Sequence, residues 1–302
     1  MEGPPTHTMY PTGLFASVAL LFTPAPLAAQ ETAAAPAVER VRLELTGEGS
    51  LEVAAAWEPF ADSVYKLHET YPQLQGFTPA ARKATHGMEA FRPFLPADAV
   101  AVGDVWRVNA AATLPFLRQF HAGATVAMHH GYGSAPGAWA CLRAIGPDLA
   151  EVSLRIHAEF VLEKGRDSET TSTLTPAQFA GRLLLDRQSG MVRSFHLFLP
   201  PRNGNVDVNI PYGGPHAGII ADIGYIPRME LVGGADVADT AARSPFDSEI
   251  SEQEARARLA RKFYSFAEIR WLDLTAALHE ACDRQRPLHV VILFGCLDDE
   301  SC

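Results

Sequence analysis

The residues best suited to covalent chemistry in this 302-residue chain are its four cysteines, Cys141, Cys282, Cys296 and Cys302. They are too few and too scattered for a disulfide-framework domain, so any thiol chemistry must be local. Cys302 follows Ser301 at the end of the loop GCLDDESC. The thiolate is the attacking form, and a free cysteine is only a few per cent ionised at neutral pH. A helix N-terminus offers about 0.3 to 1 kcal/mol to an anion, less than one pKa unit. Asp298, Asp299 and Glu300 oppose a second negative charge nearby, so Cys302 is expected to be mainly protonated. Taken alone, it is either one half of a redox pair or an inert terminal residue.

The remaining candidates have plainer readings. Cys296 is expected as a small buried hydrophobe, and a Cys296–Cys302 disulfide is sterically conceivable and no more. Cys141 and Cys282 lie on apolar-patterned segments and are expected in the core. His129 and His130 are adjacent, and adjacent strand residues point to opposite faces. Zinc needs three or four convergent ligands, and no partner spacing is visible, so no metal site is expected. His157 falls on the polar side of its strand and is similarly unspecific. GYGSAPG lacks the Gly-Lys-Ser/Thr of a phosphate loop and the Gly-x-Ser-x-Gly of a nucleophile elbow, and reads as a loop. No cofactor-binding residue is expected.

Cys302 must be positioned by the elements before it. Ser251-Glu252-Gln253-Glu254 is a capping box. Ala255, Leu259 and Phe263 follow at helical spacing, with Glu252/Arg256 and Glu254/Arg258 set for i,i+4 attraction. A second helix begins after Asp273, keeps Leu274, Ala277, Leu278 and Ala281 on one face, and stops at Pro287. Leu288 to Phe294 is nearly continuous and apolar, as in a strand covered on both faces. Helix, connection, buried strand and a loop reaching a cysteine is the opening half of a thioredoxin-like unit, which places its nucleophile at the next helix N-terminus.

Upstream, the pattern from Val41 to about Ile226 is mostly period two, the mark of half-buried antiparallel strands. Val152 to Phe160 alternates throughout, and Val41, Leu43 and Leu45 do the same. Residues 177 to 199 read as a hairpin around Asp186-Arg187-Gln188-Ser189-Gly190. Val206 to Ile210 and Ile220 to Ile226 suggest another strand pair across PYGGPHAG. Phe60, Val64 and Leu67 are spaced for a helix near 59 to 70. The expected fold class is α+β, a large β-rich antiparallel domain over 38–232, a linker over 233–250, and the N-terminal part of a thioredoxin-like domain over 251–302.

A hydrophobic content of 47% supports a buried core. With 25 basic against 35 acidic residues, the formal charge of -10 argues against an electrostatic grip on nucleic acid or anionic membrane. Leu14 to Phe22 followed by Thr23 to Gln30 resembles a signal-peptide core and small-residue cleavage site, although no Lys or Arg precedes it. The run is too short to span a bilayer. Residues 1–37 are therefore expected to be a signal peptide and linker, and the protein extracytoplasmic. If the signal is not real, a cytoplasmic location follows.

The strings RIHAEF, TPAQFAGRLLL, RSFHLFLP, NVDV, DIGYIPRMEL and HVVILFGCLDDESC resemble the selenoprotein N family, in the same order and over about half the chain. Members of that family carry Ser-Cys-selenocysteine-Gly in a thioredoxin-like domain, and Ser301 and Cys302 match its first two positions. The resemblance implies a thiol/disulfide-type oxidoreductase. Its attacking group would be a selenocysteine encoded after Cys302, with Cys302 as partner. It also implies a sequence cut at a UGA codon read as a stop, and therefore inactive as it stands. A disulfide-containing protein or a thiol reductant is the expected partner, with no nucleic acid and no stable transmembrane segment. Vertebrate members also have an EF-hand and a membrane anchor. No stretch here has the alternating Asp/Asn ligands, central Gly and terminal Glu of that calcium loop. The competing reading is a non-enzymatic β-rich binding or structural protein whose terminal cysteine is inert.

Overall fold

A computed structural model describes residues 39–126, 137–164, 171–176, 178–201, 205–212, 218–235, 245–264, 269 and 271–290. Among these residues the strands are β1 (Ser50–Trp57), β2 (Asp62–Ser63), β3 (Lys83–Gly87), β4 (Val105–Arg107), β5 (Ala124–Thr125), β6 (Ala138–Ile145), β7 (Leu149–Ile156), β8 (Glu159–Lys164), β9 (Thr171–Pro176), β10 (Phe179–Asp186), β11 (Met191–Phe198), β12 (Asn205–Tyr212), β13 (Gly218–Tyr225), β14 (Met229–Gly234) and β15 (Ser248–Glu249). The helices are α1 (Leu67–Thr70), α2 (Ala110–Phe120), α3 (Glu252–Ala260) and α4 (Leu274–Asp283). The described strands pair antiparallel in two sheets. One runs β15-β6-β7-β10-β11-β14-β1-β3 with β4 also on β6, and the other runs β2-β13-β12-β9-β8-β5. The architecture is a β-rich antiparallel domain with few helices, consistent with the α+β class.

Local chemistry explains the hairpin β10–β11. The Asp186 carboxylate accepts the backbone N–H groups of Gln188 at 2.9 Å and Ser189 at 2.8 Å, and Arg193 Nε at 2.7 Å. An aspartate that bonds its own backbone two residues on holds the chain in a turn. Gly190 closes it at φ 63°, and a Cβ there would run into the Thr46 hydroxyl. The pair β12–β13 also forms, from Asn205↔Tyr225 to Tyr212↔Gly218.

Aromatic side chains fill the main core. Phe116 of α2 sits 5.1 Å from Phe91, 5.4 Å from Phe94 and 5.0 Å from Phe195 between ring centroids. One turn on, Phe120 stacks on Phe179 of β10 at 5.5 Å. Full burial of such a side chain is worth about 1.5–3 kcal/mol. Gln119 ties the same helix to β1, donating to the Val53 carbonyl at 2.7 Å.

Several expectations need correction. First, the helix near 59–70 shrinks to α1, because Asp62 and Ser63 pair with Tyr225 and Gly224 instead. The buried Asp222 carboxylate takes the N–H groups of Tyr65 at 2.9 Å and Leu67 at 3.1 Å, and Lys66 turns left-handed at φ 58°. Phe60 and Leu67 are buried as expected, but Val64 is 65% exposed. Second, Leu43 and Leu45 are buried without a ladder, and the described contact there is a single bridge between Val41 and Val100.

Third, β7 is buried on both faces. Its polar positions Glu151, Ser153 and Arg155 are 3%, 5% and 3% exposed. The cover is α3, which packs Ala255 and Leu259 on Cys141 of β6. Leu288 to Val290 form no strand among the described residues, and 291–294 lie outside them. Nor is 233–250 wholly a linker: β14 runs to Gly234, Ser248 and Glu249 pair with Ile145 and Ala144 of β6, and α3 then packs on the same sheet.

Candidate functional site

Ser301, Cys302 and Cys296 lie outside the described residues, as do His129, His130 and residues 1–38. What is described is the path toward Cys302 and two other thiols.

The path begins with α3. The Ser251 hydroxyl accepts the Glu254 N–H at 3.1 Å, which is the serine half of the capping box. The Glu254 carboxylate pairs with Arg258 at 2.6 Å, and Glu252 pairs with Arg256 at 2.8 Å. The helix ends at Ala260, so Phe263 lies beyond it and not on its stripe. Phe263 instead stacks on His157, with ring centroids 4.2 Å apart. The Arg155 guanidinium lies 5.2 Å from the centroids of both Phe263 and Tyr264.

His157 is wholly buried and its Nε2 accepts from Arg155 Nε at 2.9 Å. Burial first, and the Arg155 charge second, push the imidazole pKa well below its ordinary value. His157 is thus a neutral acceptor that orients Arg155. Sequence spacing could not single it out, because Phe263 lies more than a hundred residues away in the chain.

Asp273 caps α4, accepting the Ala276 N–H at 2.9 Å. The predicted apolar face is present but uncovered among the described residues, with Leu274 58% and Leu278 47% exposed. Cys282 in the last turn is exposed and not in the core as expected, on a helix with no buried residue.

Cys141 is buried as expected. Its thiol contacts the Leu142 carbonyl at 3.8 Å, and burial pushes its pKa up to about 12. The thiol is then almost wholly protonated at neutral pH. Cys141 cannot serve as a nucleophile in this conformation. Below it, Arg143 grips Glu151 in a bidentate pair at 2.6 and 2.7 Å and reaches Glu249 at 2.9 Å. The arrangement is a buried polar face that clamps the segment 245–264. Among the described residues no group of three or more His, Cys, Asp or Glu could hold a metal ion, and no helix is long and apolar enough to cross a membrane.

Comparison with known proteins identifies relatives by sequence. No family model matches, and no solved structure matches. Selenoprotein N of Homo sapiens is 30% identical over 276 residues, covering 76% of this chain and 46% of the relative. Selenoprotein N of Mus musculus is 30% identical over 271 residues, 74% of this chain and 48% of the relative. Selenoprotein N of Danio rerio is 29% identical over 271 residues, with 74% and 48% covered. The chain spans about half the length of the curated relatives it matches. Similarity over three quarters of the chain to three such proteins is far more than shared β-strand composition produces, and the chain belongs to the selenoprotein N-like family.

Proposed function

We propose that this chain is part of a thiol/disulfide oxidoreductase in which Cys302 partners a selenocysteine encoded immediately after it. The observation that carries the reading is Ser301-Cys302, which resemble the first two positions of the family's Ser-Cys-selenocysteine-Gly motif, in a chain of the selenoprotein N-like family. Of the described thiols, Cys141 is buried and its pKa is pushed up to about 12, which takes it out of contention. A selenol is intrinsically more acidic than a thiol and ionises where Cys302 does not, so selenocysteine attacks the disulfide and Cys302 resolves the mixed intermediate. The β-rich domain, to which β15 and α3 belong, is then accessory to a thioredoxin-like domain that begins after α3 within the segment 251–302. The substrate is a disulfide-containing protein or a thiol reductant. The Leu14–Phe22 run acts as an export signal, which places this chemistry in an oxidising compartment.

The test is to express the gene with its own downstream sequence under conditions that insert selenocysteine at TGA. The product is then analysed by mass spectrometry and by disulfide reduction. Expected are a selenium-containing peptide after Cys302, a mature N-terminus near residue 30 or 38, and reductase activity that Cys302→Ser abolishes. A TAA or TAG codon after Cys302, or a selenium-containing product without activity, would sink the proposal and leave a β-rich binding or structural protein. An intact Met1 would remove the export part.

A further inference from the structure

The helix α3 covers a sheet face with the wrong chemistry for a permanent cover. A helix normally docks on a sheet through an apolar face. The opposite face of the same strands is of that kind, with Leu142, Val152 and Leu183 in the main core. Under α3 the strands instead present a mixed face, with Arg143, Glu151, Ser153, Arg155 and Arg182 set among Trp139, Cys141, Ala180 and Leu184. The apolar part of the contact is a separate small cluster in which Ala255, Leu259 and Cys141 are buried and Val105, Trp139 and Ile250 are partly buried.

Beside the packing of Phe263 and Tyr264 on His157 and Arg155, several further ties are polar. Arg182 pairs with Glu252, their side chains 30% and 40% exposed. Arg258 Nη1 donates to the Gly103 carbonyl at 2.8 Å, and Arg143 Nη1 donates to the Ile250 carbonyl at 3.2 Å. Two crevices wide enough for a water-sized sphere run along the seam, one lined by Arg182, Glu252 and Arg256, the other by Gln178, Arg256 and Leu259. If the helix lifts, Arg143 keeps its bidentate partner Glu151 on the sheet. Opening therefore leaves that buried charge paired, which removes the usual penalty for parting such an interface.

We propose that α3 is a releasable strap, latched at its far end by Phe263 stacked on His157, whose opening exposes the Cys141 thiol while the two sheets stay folded. The inference does not depend on the redox reading. Opening returns Cys141 to water, where its thiol regains ordinary acidity, and frees the segment that leads toward Cys302 from the β-rich domain. Local opening of such a contact at less free energy than global unfolding is an expected property of an element with few buried apolar contacts.

The experiment is alkylation of the full chain by iodoacetamide, with each cysteine followed by mass spectrometry of its peptide and exposed Cys282 as internal control. Cys141 is expected to label in native buffer far faster than global unfolding allows, with a rate nearly independent of urea below the unfolding transition. Phe263→Ala should raise that rate at least about tenfold, and 0.5 M NaCl by roughly two- to threefold through screening of partly exposed pairs. The proposal is overturned if Cys141 labelling follows the same urea dependence as loss of the far-UV circular dichroism signal. Because that comparison uses the unmodified protein, it decides the matter even if Phe263→Ala fails to fold.

Discussion

Replacing Glu151 by alanine tests whether the polar face of β7 is as dry as its geometry implies. The Glu151 carboxylate receives Arg143 Nε at 2.6 Å and Nη2 at 2.7 Å, with the two side chains 3% and 13% exposed. Removing one partner of a buried pair typically costs about 3–5 kcal/mol, because the other charge is left without compensation. Arg143 would retain Glu249 and the Ile250 carbonyl, so the expected loss is smaller, about 2–4 kcal/mol. For a domain of this size that corresponds to a fall of roughly 5–15 °C in Tm. The assay is urea and thermal unfolding of the full chain by circular dichroism. A double variant, Arg143→Met with Glu151→Leu, removes both charges and should recover most of the loss. A cost below about 1 kcal/mol for Glu151→Ala, or no recovery in the double variant, would show that the pair is solvated and the burial argument mistaken.

Other consequences are equally direct. His157 has a folded-state pKa held well below its unfolded value of about 6.5. Its contribution is therefore complete above pH 6.5 and is lost as pH falls below it, with a slope approaching about 1.4 kcal/mol per pH unit. Urea titrations between pH 7 and 5 should show that slope and its absence in His157→Gln; equal slopes would refute it. Gly190→Ala should cost more than about 1 kcal/mol in urea unfolding, since it combines φ 63° with a clash against Thr46. A neutral result would mean that the turn relaxes around a side chain.

What the sequence determined by itself is what depends on near neighbours. The Asp186–Gly190 turn, the antiparallel pair β12–β13, the Ser251 and Asp273 caps and the i,i+4 pairs of α3 were all legible. Each needs only residue types a few positions apart. The family was legible too, because several strings recur in order and each is specific regardless of the fold around it. Tertiary structure alone decided burial. The alternation of Val152 to Phe160 implied one strand with a polar face toward solvent, yet the run breaks after Ile156 into β7 and β8 of different sheets, and Ser153 and Arg155 are covered by a helix a hundred residues later. Two cysteines on similarly apolar segments parted for the same reason, Cys141 lying under α3 and Cys282 on a helix with no buried residue. The helical spacing of Phe60, Val64 and Leu67 lost to Asp222, whose carboxylate takes the N–H groups of Tyr65 and Leu67 from across the chain. In each case the deciding partner is distant in sequence, and periodicity records how a segment is patterned without recording what comes to lie on top of it.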